Sequence, residues 1–304
     1  MPDLDPTTDA LTSQLTLVTG SSGNLGRELI ERLHARGVPI RSLSRRPLEA
    51  RPGVEPVVGD FTDPAVMREA LHGVDTVFLI WPFLDTSRAT PLIDELTRTG
   101  PRVVYLSSTA INDSLTEQSD PIVQVHADME ALLHSADLRP VILRSDTLAS
   151  NVRGWAAQLL AGDVVTGPDM APTAVVDERD VAEAAAAVLS ATDDGTHDRN
   201  HNHNDNHEPN LHLLTGPHVL SRADLVTRLG VALGRDLSFQ PVPADLAGSH
   251  MLADGRPAAL VHALVAASTH RPVSRLVTDT VRQLCGHPAR TFARWAADHG
   301  DEFR

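Results

Sequence analysis

Apolar and polar positions set two alternating rhythms through the first half of this chain. Short β-branched runs at residues 15–19, 40–44, 54–58, 76–81, 103–107 and 141–144 read as strands. The longer segments between them, 25–36, 64–71, 87–99 and 121–135, have the period of helices. Strands joined by crossover helices pair in parallel with right-handed connections, so the pattern predicts an α/β fold with a doubly wound parallel sheet. The run from Thr76 to Trp81 is apolar almost throughout, which predicts burial on both faces. Asp63 and Pro64 form a helix entry, an N-cap followed by a first-turn proline.

The second half is mostly helical, with short strands expected at 211–214 and 237–240. The expected division is a flexible tail over 1–14, a nucleotide-binding core over 15–150, and a smaller C-terminal lobe over 151–304, part of which returns to the core. Ligands of such sheets sit at the carboxyl ends of the strands, so the substrate is expected between core and lobe. One stretch, 195–210, is rich in His and Asn and predicts a mobile loop. Its His197, His201, His203 and His207 lack neighbours that would give a rigid ligand geometry, so no metal site is expected.

The first strand leads into Gly20-Ser21-Ser22-Gly23-Asn24-Leu25-Gly26 and then directly into a helix. Strand, glycine turn and helix in this order form the dinucleotide fingerprint of a Rossmann-type sheet. The first glycine makes the tight turn, the second lets the backbone approach a pyrophosphate, and the third lets helix and strand pack closely. The helix N-terminus then offers N–H groups and a positive dipole end to phosphates. A carboxylate at the end of the second strand would select NAD, but this chain has Arg45 and Arg46 there, which favours the 2′-phosphate of NADP(H). Asp60 and Phe61, after the third strand, are placed either to meet the adenine or to form the turn before the Asp63 cap.

Composition narrows the chemistry. The 304 residues include 26 basic and 40 acidic side chains, a net charge of -14 that disfavours nucleic acid as a partner. All the basic residues are arginine, and Tyr105 is the one tyrosine, so no Tyr-x-x-x-Lys pair can exist. No apolar run approaches the ~20 residues of a membrane span, and residues 1–14 do not read as a secretion signal, so no membrane association and a cytoplasmic location are expected. A single cysteine, Cys285, fits that compartment and reads as a packing residue.

Several stretches together resemble the NmrA-like, atypical short-chain dehydrogenase/reductase family, including its NADPH-dependent quinone oxidoreductases. They are Val18-Thr-Gly-Ser-Ser-Gly-Asn-Leu-Gly-Arg27, Arg41-Ser-Leu-Ser-Arg-Arg-Pro47, Gly59-Asp-Phe-Thr-Asp-Pro64, Val104-Tyr-Leu-Ser-Ser108, His126-Ala-Asp-Met-Glu130, Val141-Ile-Leu-Arg144 and Val176-Asp-Glu-Arg-Asp-Val181. The likeness continues at Leu214-Thr-Gly-Pro217 and Arg290-Thr-Phe-Ala-Arg-Trp295. The resemblance implies an NADP(H) site made by the glycine loop, Arg45, Asp60, the Ile80-Trp81-Pro82 turn and Ser107. The family's usual Tyr and Lys positions fall on Ile122 and His126, so the resemblance makes His126 a candidate for holding the nicotinamide ribose or donating a proton, with Glu130 one turn on to orient it. One departure is Ser145-Asp146 after Arg144, where the family commonly has proline.

The expected function is therefore an NADPH-dependent oxidoreductase that passes hydride to a quinone, enone or similar small electrophile, with Ser107 and His126 as candidate catalytic groups. Such acceptors need little proton donation from the protein. The alternatives are a non-catalytic NADP(H) sensor acting on a protein partner, or a non-redox isomerase or cyclase. A monomer or homodimer is expected.

Overall fold

In the computed structural model, residues 14–49, 51–191 and 210–304 are described. The first segments alternate as the pattern predicts: β1 (Thr16–Thr19), α1 (Asn24–Ala35), β2 (Ile40–Ser44), β3 (Val54–Val58), α2 (Pro64–Ala70), β4 (Thr76–Leu79), α3 (Thr90–Thr99), β5 (Arg102–Ser108), α4 (Pro121–Ser135) and β6 (Val141–Ser145). After a 3₁₀ turn at Ala149–Trp155 come α5 (Ala156–Ala161), β7 (Val164–Gly167), α6 (Glu178–Ser190), β8 (Leu211–Leu214), α7 (Arg222–Leu233) and β9 (Ser238–Pro241). The chain finishes with α8 (Ala244–Ala253), α9 (Ala258–His270), α10 (Thr280–Cys285), α11 (Phe292–His299) and a 3₁₀ turn at Gly300–Phe303.

Seven strands form one sheet in the order β3-β2-β1-β4-β5-β6-β8. β1 pairs in parallel with β2 on one side, Thr16 opposite Ile40, and with β4 on the other, Thr16 opposite Thr76. The strand order reverses at β1, which makes its carboxyl end the topological switch point where such sheets bind ligands. Every residue of β1, β2, β4 and β6 is buried, as expected of strands covered on both faces. Asp63 caps α2 by accepting from the Ala65 N–H at 2.8 Å, with Pro64 in the first turn.

Two boundaries differ from the sequence pattern by more than one residue. β4 stops at Leu79 because the Ile80 N–H turns to the Thr19 hydroxyl, at 2.8 Å, instead of continuing the ladder. α3 begins at Thr90, three residues late, because the Asp85 carboxylate accepts from the Ser87 N–H at 2.9 Å and holds that segment as a turn. The strand β7 was not foreseen; it pairs in parallel with β9, Val164 opposite Ser238.

Two compact units interleave along the chain. Of the described residues, one takes those up to 107 together with 129–144 and those within 181–212; the other takes 108–128, 145–180 and 213–304. The first buries Leu17, Leu29, Leu33, Phe78, Val103 and Val104. The second buries Phe292, Trp295 and Phe303 against Val165, Val226 and Leu229. Of the sequence-based segments, 1–13 and most of the 195–210 loop, with its four histidines, lie outside the described residues.

Candidate nucleotide-binding and reduction site

The fingerprint loop has the backbone that a pyrophosphate cradle needs. Gly20 leaves β1 with φ +62, a left-handed conformation that favours glycine. Its carbonyl accepts from the Gly23 N–H at 2.9 Å, closing the turn. Gly26 is the tightest point, since a Cβ there would come within 2.3 Å of the Gly20 carbonyl oxygen and 2.8 Å of the Ser21 Cα. Ser21 is buried and donates its hydroxyl to the Leu43 carbonyl at 3.0 Å, which ties the loop to β2. Ser22 is half-buried, Gly23 and Asn24 are exposed, and Leu25 packs inward at the start of α1. The N-cap is Gly23, with no side chain closing the helix end. These residues fit the pyrophosphate of a dinucleotide: a loop folded so tightly that a Cβ at Gly26 would strike its own main chain, leading into the N-terminus of α1 with no side chain capping it.

Arg45 and Arg46 follow β2 as exposed side chains. Asp60 is next in this corner. Its Oδ1 accepts from the Thr62 N–H at 2.9 Å and the Thr62 hydroxyl at 2.8 Å. These bonds hold its carboxyl below the usual carboxylate range, and the charges of Arg88 and Arg45 add to the effect. The turn role weighed from the sequence is thus present, and both arginines project their charge onto the same carboxylate. Phe61, Trp81 and Phe83 form an aromatic cluster beside it, with ring centroids 5.0 to 5.5 Å apart. The Trp81 indole donates to the Asp85 carbonyl at 3.0 Å, Pro82 is exposed, and the Arg88 guanidinium lies 4.1 Å over the Phe83 ring. The sequence pattern gave no sign of Arg88, since it belongs to no motif.

Ser107, near the end of β5, is buried, and its hydroxyl donates to Glu130 at 2.5 Å. Glu130 also receives Arg144 in a fork, Nε at 2.9 Å and Nη2 at 2.7 Å. The residue expected to orient His126 thus sits in a buried ion pair whose other member, Arg144, is the penultimate residue of β6. His126 itself is half-buried on α4. Tyr105 is fully buried, and its phenol pKa is pushed up, first by burial and then by the Glu130 charge. The chain's one tyrosine is therefore no stand-in for the missing acid. Asp146, at the departure from the family pattern, is buried and accepts from the Ala174 N–H at 3.2 Å, with Arg271 at 3.8 Å.

A second group of cations was also not apparent from motifs. Arg222, the first residue of α7, donates to the Pro168 carbonyl at 3.0 Å and places Nη2 2.6 Å from the Met170 sulfur. Burial pulls its pKa down to about 10, with the Arg256 charge adding to the fall and Asp169 opposing it. Arg256 donates to the Gly154 carbonyl at 2.7 Å and contacts the Met251 sulfur at 3.8 Å. The one signal in the sequence is that neither arginine has an acid three or four residues away.

Residues 20–192 match the family described as NAD(P)H-binding. The chain is 33% identical to a (4-alkanoyl-5-oxo-2,5-dihydrofuran-3-yl)methyl phosphate reductase of Streptomyces griseus, over 95% of this chain and 99% of that protein. It is 27% identical to an NAD(P)H azoreductase of Xenophilus azovorans, over 95% and 99%. Its fold matches that of an Escherichia coli NADPH-dependent quinone oxidoreductase complexed with NADPH, with TM-score 0.71 and 23% identity over 93% of this chain and 99% of that one. No helix among the described residues is long and apolar enough to cross a membrane. With the cradle, the strand order and the family match in agreement, this chain belongs to the NAD(P)H-binding, NmrA-like group of atypical short-chain dehydrogenases/reductases, and it is an oxidoreductase.

Proposed function

We propose that the protein is an NADPH-dependent reductase of small electron-poor acceptors, quinones and enones among them. The observation that carries this reading is the combination of an intact dinucleotide cradle with a sole tyrosine that is fully buried beside a carboxylate. A simple ketone needs a committed acid at its oxygen, whereas a conjugated acceptor delocalises the developing charge and can take its proton from solvent or a weak donor. The relatives fit this class: one reduces a 5-oxo-2,5-dihydrofuran bearing an alkanoyl group and another is an azoreductase.

In this reading the Gly20–Gly26 loop and the N-terminus of α1 hold the pyrophosphate, and Arg45 with Arg46 receives the 2′-phosphate. Asp60, Phe61 and the Ile80-Trp81-Pro82 turn border the adenine half. When bound, the nicotinamide supplies the hydride. Ser107 contributes a hydroxyl whose orientation is fixed by Glu130, and His126 stabilises or protonates the oxyanion left on the acceptor.

The test is an equilibrium fluorescence titration with NADPH, NADP⁺ and NADH, followed by steady-state assays with quinones and enones. Selective NADPH binding with turnover of these acceptors supports the reading. Equal affinity for both redox forms with no turnover of any acceptor would replace it with a nucleotide sensor. His126→Phe with unchanged turnover would remove His126 from the mechanism.

A further inference from the structure

Arg222 and Arg256 are unusual among the arginines of this chain. Most form ion pairs: Arg41 with Glu55, Arg144 with Glu130, Arg153 with Glu178 and Glu302, Arg179 with Asp177 and Asp298, Arg290 with Asp180. Arg222 and Arg256 spend N–H groups on two backbone carbonyls and two thioether sulfurs, and among the described residues no carboxylate lies within ion-pair distance of either. A thioether is a weak acceptor, so each fork keeps donor capacity without a strong partner. Asp169, whose charge reaches Arg222, is exposed and makes no ion pair with it.

Each guanidinium lies against the main chain. A Cβ on Gly167, the last residue of β7, would stand 2.8 Å from Arg222 Nη1, and one on Gly154 would stand 2.8 Å from Arg256 Nη2. Glycine at these two positions lets each guanidinium lie directly on the main chain. The helix end does not explain the arrangement. The α7 N-terminus is closed by a capping box, in which Ser221 accepts from the Asp224 N–H and Asp224 from the Ser221 N–H. Arg222 instead adds a cation at a helix start, where the dipole is already positive, and sits in the field of a second cation. Partly desolvated like charges in this setting gain most from an anion, and the planar forks match phosphate or carboxylate geometry.

We propose that Arg222 and Arg256 form an oxyanion subsite that receives a phosphate or carboxylate carried by the acceptor. This rests on the reductase reading only in naming the acceptor as the bearer of the anion; the subsite itself is a property of the second unit alone.

The experiment uses the full chain saturated with NADPH, titrated calorimetrically with inorganic phosphate, phenyl phosphate and benzoate. Binding of phenyl phosphate or benzoate is expected, and whichever binds more tightly identifies the group. Arg222→Met and Arg256→Met should each weaken that binding at least tenfold while NADPH affinity, the check on folding, stays within twofold. Gly167→Ala is the milder probe: its methyl displaces the Arg222 fork without removing it, and a loss of several-fold is expected. In turnover, phenyl phosphate should compete with an anionic quinone and raise its KM. No binding of any of the three anions, or equal binding in wild type and both arginine variants, overturns the subsite. If the protein turns over no acceptor yet binds phenyl phosphate through Arg222, the subsite stands and the reductase reading falls. If it reduces neutral quinones while no oxyanion binds, the reductase reading stands and the subsite falls.

Discussion

Replacing Glu130 by methionine removes the carboxylate that Arg144 and Ser107 share. Both members of the pair are nearly sealed from water, with side-chain exposures of 10% for Glu130 and 8% for Arg144, so solvent screens their attraction little. Removing one partner of a buried pair typically costs about 3–5 kcal/mol, because the remaining charge keeps its desolvation penalty. Against a total stability on the order of 5–15 kcal/mol, that is a large fraction. Urea denaturation followed by circular dichroism should show the midpoint falling while the slope is unchanged. The double variant Glu130→Met with Arg144→Met separates charge from packing. An apolar pair of similar volume is often as stable as the ion pair it replaces, so the double variant should recover most of the loss, to within about 1–2 kcal/mol of wild type. A single-variant loss under about 1 kcal/mol, or a double variant no more stable than the single, would refute the claim that a desolvated charge sets the cost.

Three further outcomes follow from the geometry. Arg45→Ala should weaken NADPH binding by roughly tenfold or more through a lost charge-assisted contact, while NADH binding barely changes; equal losses in a fluorescence titration would reassign the 2′-phosphate site. Gly26→Ala should abolish NADPH binding with near-native circular dichroism, because its methyl meets main-chain atoms of Gly20 and Ser21 that cannot move aside; normal affinity would displace the cradle. Ser221→Ala should cost about 1 kcal/mol at neutral pH through loss of the α7 cap. Hydrogen bonds from Ser221 lower the Asp224 pKa in the folded protein, so this stabilisation is fully present above the unfolded value of 3.8 and is lost as pH falls through the lower folded value. The wild-type advantage in thermal unfolding should therefore shrink below about pH 4, and an advantage that is constant to pH 2 would contradict the capping account.

The order of elements, the parallel sheet and the glycine turn after β1 were legible in the chain because each depends on local rules. Residue spacing distinguishes strand from helix, and Gly20 and Gly26 sit where only glycine satisfies the backbone. The ends of β4 and α3 were less legible, since they are decided by backbone N–H groups donating to the Thr19 hydroxyl and the Asp85 carboxylate. β7 was missed because a four-residue strand of a two-stranded pair leaves little periodicity to read. Glu130 shows the limit most clearly. On the helix it is one turn from His126, and spacing alone suggests that pairing. The tertiary structure adds what spacing could not show, a fork from Arg144, fourteen residues on in another element, because a desolvated carboxylate is held well by a guanidinium.

The sequence by itself determined that this chain binds a dinucleotide and lacks a tyrosine–lysine catalyst, because motif order and the absence of lysine are properties of the chain alone. Only the tertiary structure decided which charges are neutralised. Glu130 is enclosed by Arg144 and Ser107, Tyr105 is sealed in the core, and Arg222 and Arg256 meet carbonyls and sulfurs in place of acids. Burial and charge pairing are set by residues distant in sequence, so they exist only once the chain has folded.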